Sequence, residues 1–234
     1  MRQIVLDTET TGISHDAGHR IIEIGCVELL DRKLTGKHYH VYINPEREVD
    51  EGAFRVHGIS TEFLKDKPRF SEIMDEFLNF ICDSELIIHN APFDVGFINA
   101  ELGHLKHPHR LDKYCMVLDT LVMAKEKHPG QRNSLDALCK RYEIDNSHRQ
   151  FHGALLDAEI LAFVYLAMTG GQTSLFGSDL EEEQQIIVET EAVVSNVQYN
   201  IPVYSASEEE LAGHKNFIEF LVKKSGVNRF EEEV

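Results

Sequence analysis

Long apolar runs are missing from this chain. No stretch approaches the length of a signal peptide or a membrane span, so the sequence reads as a soluble cytoplasmic protein with no membrane partner. Cysteine is scarce as well. Cys26, Cys82, Cys115 and Cys139 lie far apart with no Cys-x-x-Cys pair, which argues against disulfides or a thiolate zinc site and for reduced, buried thiols. Positive charge is the third shortage: 23 Lys and Arg face 40 Asp and Glu, for a net charge of -17. That balance excludes a broad basic surface for nucleic acid, because such binding is driven by phosphate neutralisation. It leaves room for a small site that holds phosphates through bound metal.

What is present is one α/β core's worth of residues and an appendage. With 234 residues, 42% of them hydrophobic, the chain can bury one full domain core and still have residues left over. The stretch from Asp179 to Val234 holds 13 acidic and 4 basic residues and forms a separate compositional zone. Residues 1–170 alternate between strand and helix patterns. A first strand around Ile4 to Glu9 is followed by strands over Arg20 to Leu30 and Lys37 to Asn44, with Asp31 to Gly36 as a tight turn, which predicts an antiparallel meander. Ile73, Met74, Phe77, Leu78 and Ile81 recur at helical spacing from Phe70 onward. A strand at Glu85 to His89, a helix opened by Pro92, a strand at Cys115 to Asp119, and helices near 120–127, 134–142 and 153–168 complete a mixed sheet with helices on both faces.

Asp7 and Glu9 stand one residue apart at the end of the first strand, in Asp7-Thr8-Glu9-Thr10-Thr11-Gly12. Side chains at i and i+2 of a strand share a face, so the two carboxylates lie side by side. A divalent cation is the commonest reason for such crowding, since hard oxygen ligands suit Mg²⁺ or Mn²⁺. Read alone, the pair fits a solvated strand end equally well. Asp94 and Asp157 each fall early in a helix, where a carboxylate also complements the helix dipole. His152, five residues before Asp157, is by itself more often a surface or capping histidine than a base.

Taken together, Asp7-Thr8-Glu9-Thr10-Thr11-Gly12, Asn90-Ala91-Pro92-Phe93-Asp94 and His152-Gly153-Ala154-Leu155-Leu156-Asp157-Ala158 resemble, in order, the three motifs of the DEDD exonucleases of the ribonuclease-H-like fold, in the subclass with a histidine. The resemblance covers residues 1–170 and implies an exonuclease domain there. It further implies two Mg²⁺ or Mn²⁺ ions held by Asp7, Glu9, Asp94 and Asp157, with His152 as general base. Hydrolysis of DNA from its 3′ end, releasing nucleoside 5′-monophosphates, is likewise implied by the family. Asp7, Glu9, Asp157 and His57 are expected to meet the substrate, His57 through a segment, Val56-His57-Gly58-Ile59, that is similar to one in the family. Relatives often carry an acid five positions before that histidine; here the residue is Gly52.

Past the domain, Gln172-Thr173-Ser174-Leu175-Phe176 resembles the peptide by which bacterial replication proteins dock on the sliding clamp, with Gln172, Leu175 and Phe176 as its contacts. The chain from 171 to 206 then reads as a flexible acidic linker. Residues 207–234 read as a helical tail, opened by the capping pattern Ser207-Glu208-Glu209-Glu210 and carrying Leu211, Phe217, Ile218, Leu221 and Val222. Val203 to His214 resembles the tail by which bacterial proofreading exonucleases bind their polymerase subunit. The expected partners are therefore a DNA 3′ end, a polymerase catalytic subunit, the clamp and a small accessory subunit. An RNA-processing exonuclease of the same superfamily and a non-catalytic adaptor between polymerase and clamp are the competing readings. His104, His107 and His109 are expected to sit in a solvated loop, since no complementary zinc ligands are evident.

Overall fold

A computed structural model describes residues 1–147, 151–170, 213–215, 217 and 223–224. Contacts divide the chain into Met1–Gly177 and Ser178–Val234. In the second unit the described residues are helical, and the clamp-like peptide and the acidic linker lie outside the described residues.

The first unit is built on a five-stranded sheet in the order β3-β2-β1-β4-β5. β1 (Arg2–Thr10) is central, antiparallel to β2 (Ile21–Leu30) and parallel to β4 (Glu85–Ile88); β3 (Lys33–Tyr42) and β5 (Met116–Asp119) are the edges. The seven helices among the described residues of this unit are α1 (Glu51–His57), α2 (Thr61–Leu64), α3 (Phe70–Ile81), α4 (Ala91–His104), α5 (Thr120–Lys127), α6 (Leu135–Tyr142) and α7 (Ala154–Thr169).

Strand alternation sorts β1 onto two cores. Ile4 and Leu6 face a cluster with Phe70, Phe77 and Ile98 of α3 and α4, while Val5 faces Ala158, Leu161 and Tyr165 of α7. Each fully buried apolar side chain contributes about 1.5–3 kcal/mol relative to its exposed state, and Phe77 is completely buried. All four cysteines are free thiols, and burial pushes that of Cys115 up to about 12.

Two local expectations are corrected. The turn between β2 and β3 is only Asp31-Arg32, both at positive φ (48° and 66°), and β3 begins at Lys33 rather than Lys37. Two left-handed residues match the twist of a two-residue hairpin, and Asp31 suits the first position, but Arg32 stands where Gly normally announces one. The segment after β3 forms the short helices α1 and α2, which the sequence pattern did not announce.

Candidate active site

Asp7 and Glu9 ride on β1, on the face that α7 covers. Thr8 points to the opposite face and donates its hydroxyl to Asp94 Oδ1 at 2.6 Å. Asp94 is in the first turn of α4, whose N-cap Asn90 is left-handed (φ 67°, ψ 52°). The Asn90 N–H donates to Asp119 Oδ1 at 3.2 Å, and the same oxygen accepts from Leu121 N–H at 2.8 Å. Asp119 thereby ties the β4–α4 turn to the start of α5. Neither Thr8 nor Asp119 was singled out from sequence, although alternation gives the direction of Thr8 and an Asp before a helix is an ordinary N-cap signal.

Asp157 enters from α7, in the first turn after the N-cap Gly153. His152 Nδ1 lies 3.2 Å from Asp157 Oδ2, and the His152 backbone N–H donates to the Val56 carbonyl at 3.2 Å. The five residues Asp7, Glu9, Asp94, His152 and Asp157 all line one open cavity of about 560 Å³. Glu9, Asp94 and Asp157 are buried, whereas the His152 side chain is 45% exposed.

A neighbouring cavity of about 390 Å³ shares Glu9 and Phe93 with the first and adds Ile13, Val56 and His57. His57 Nδ1 accepts from Ile59 N–H at 2.9 Å, which leaves the ring proton on Nε2. Burial, the main cause, holds the His57 pKa below its usual value. Gly52 lines the same cavity and a Cβ built on it would touch nothing within 4 Å. Position 52 therefore puts no side chain into that cavity.

The donor set fits a hard divalent cation. Glu9, His152 and Asp157 each offer an atom such that all lie within 4.8 Å of one another, and Asp7 and Asp94 line the same cavity. Burial, outweighing the Thr8 hydrogen bond, pushes the Asp94 carboxyl up to about 7. Around the histidines at 104–109, His107 is occupied by Tyr114 Oη and the His109 backbone, and no metal-binding group forms there among the described residues.

The Asp94 shift has a direct consequence for metal-free protein. Folded Asp94 keeps its proton up to about pH 7, whereas the unfolded residue releases it near 3.8. Between those values the native state binds more protons, so stability falls as pH rises. In chelator, Asp94→Asn is expected to flatten that slope, measured as the thermal midpoint from about pH 4 to about pH 7; an unchanged slope rejects the assignment.

A family model described as Exonuclease (RNase_T) matches residues 4–165. The DNA polymerase III subunit epsilon of Salmonella typhimurium strain LT2 is 53% identical over 234 residues, covering 96% of this chain and 95% of its own length. The protein of that name from Escherichia coli K12 is 52% identical, again over 96% and 95%. Among solved structures, exonuclease X in complex with 5′-overhanging duplex DNA superposes with a TM-score of 0.55 at 22% identity, covering 73% of this chain and 94% of that one; at that identity the likeness speaks to fold.

Proposed function

The chain belongs to the RNase_T exonuclease family, and from that premise we propose that it is the proofreading 3′→5′ exonuclease subunit of a bacterial DNA polymerase III, working in the cytoplasm. It removes mispaired 3′-terminal nucleotides as nucleoside 5′-monophosphates. The observation that carries this reading is the gathering of four acids and a half-exposed histidine around one open cavity at the end of the central strand.

Asp7, Glu9, Asp94 and Asp157 would hold two divalent cations, Mg²⁺ or Mn²⁺. When bound, such a pair supplies charge stabilisation for an in-line displacement at phosphorus and lowers the pKa of water. The imidazole of His152 takes the proton of the attacking water, and its exposure lets it return that proton to solvent. The new P–O bond forms as the bond to the 3′-oxygen of the penultimate nucleotide breaks. That oxygen takes up a proton from solvent and becomes the new 3′-hydroxyl. His57, Phe93 and Ile13 would receive the terminal nucleotide in the adjoining cavity, where stacking on an aromatic ring tolerates any base.

The chain's net charge of -17 makes it a poor independent DNA binder. A polymerase held by the tail 207–234 would deliver the frayed end, and Gln172, Leu175 and Phe176 would tether the assembly to the clamp. A small accessory subunit completes the expected assembly. Hydrolysis of primers with paired and mispaired 3′ ends, with short RNA as comparison and with polymerase present or absent, tests the reading. Faster cleavage of mispaired DNA is expected, with further acceleration by polymerase. Preference for RNA would instead favour the RNA-processing alternative, and absence of metal-dependent cleavage would favour an adaptor.

A further inference from the structure

The start of α7 decides where His152 and Asp157 point, yet its N-cap Gly153 makes no side-chain cap. The first N–H groups of a helix need acceptors, and its positive dipole end favours an anion. Here the acceptor comes from the sheet. Glu23 on β2, only 2% exposed, accepts from the Ala154 N–H through Oε2 at 3.1 Å, and its Oε1 lies 2.7 Å from His40 Nε2 on β3. Glu23 is the register partner of Glu9, so the anchor of α7 stands directly beside a carboxylate of the site. Two residues along β2, a Cβ on Gly25 would lie 2.2 Å from the Ala154 carbonyl carbon and Leu155 N, so the helix backbone rests on the strand itself.

We propose that Glu23 is a positioning residue of the exonuclease reaction: as a cap supplied by β2, with Gly25 providing the seat, it fixes the first turn of α7 so that His152 and Asp157 meet Glu9. His40 orients the carboxylate from the edge strand. The His152 backbone is held from the other side by Val56, so Glu23 and α1 together bracket the segment. The inference rests on the exonuclease reading, and it concerns geometry.

Steady-state hydrolysis of a mispaired primer by the full chain at saturating Mn²⁺ tests it. Glu23→Ala is expected to lower kcat about 10- to 100-fold, the range seen when partners that orient site ligands are removed, with KM within about twofold. Glu23→Gln keeps an acceptor oxygen in place and is expected to recover most of that loss. Wild-type kcat in Glu23→Ala, or Glu23→Gln as slow as Glu23→Ala, overturns the proposal. Should the alanine variant not fold, Glu23→Asp, charged but one methylene shorter, takes its place: a fall in kcat of about tenfold supports the anchor and an unchanged kcat overturns it. Amide exchange at Ala154 separates this inference from the reading beneath it. Faster exchange in the alanine or aspartate variant is expected whether or not DNA is cut, and unchanged exchange sinks the anchor. A wild-type chain that leaves 3′ ends intact sinks the exonuclease reading alone.

Discussion

Asp7→Ala is expected to lower kcat for 3′-end hydrolysis about a thousandfold at any Mg²⁺ or Mn²⁺ concentration, without loss of folding stability. Charge stabilisation at a metal-assisted phosphoryl site amounts to several kcal/mol, and about 4 kcal/mol corresponds to roughly a thousandfold in rate. Asp7 shares its strand face with Glu9 and lines the cavity that also collects Asp94, Asp157 and His152. Removing one of four gathered acids also relieves like-charge repulsion, so the thermal midpoint in chelator should hold or rise. The variant therefore separates catalysis from folding in one protein. Release of labelled nucleotide from a mispaired primer across a cation titration is the measurement. A kcat within tenfold of wild type would remove Asp7 from the ligand set.

The fold was legible in sequence where side-chain periodicity records a buried face, and illegible where it does not. β1 alternates between two cores, and α3 presents Ile73, Phe77, Leu78 and Ile81 as a stripe, so both were readable. α1 was not, because Phe54 and Val56 are 43% and 47% exposed and only His57 is buried: its apolar residues do not share one buried face and leave no stripe. The two-residue hairpin at Asp31-Arg32 was hidden for a different reason, since strand pairing imposes a left-handed backbone on Arg32, where Gly is the usual residue. At the site, the motifs named Asp7, Glu9, Asp94, His152 and Asp157, and those five do line one cavity. Their convergence depends on features with no local signature. Glu23 reads as one polar residue in a buried strand until α7 is laid across it, and Gly25 reads as a weak strand residue until the helix backbone is found against it.

His152 is where geometry leaves two roles to separate. Its Nδ1 faces Asp157 Oδ2 at 3.2 Å, so the imidazole either moves a proton or merely holds Asp157 in place. A base contributes about 10²- to 10⁴-fold to rate. If it acts as base, His152→Ala lowers kcat at least a hundredfold and leaves KM nearly unchanged. Added imidazole should then restore part of the rate, since the side chain it replaces is 45% exposed and opens onto the cavity. A holder of Asp157 predicts otherwise: free imidazole restores nothing, because a diffusing ring cannot fix a carboxylate that the chain itself must orient. The rate of the alanine variant, with and without imidazole, decides between a proton carrier and a strut.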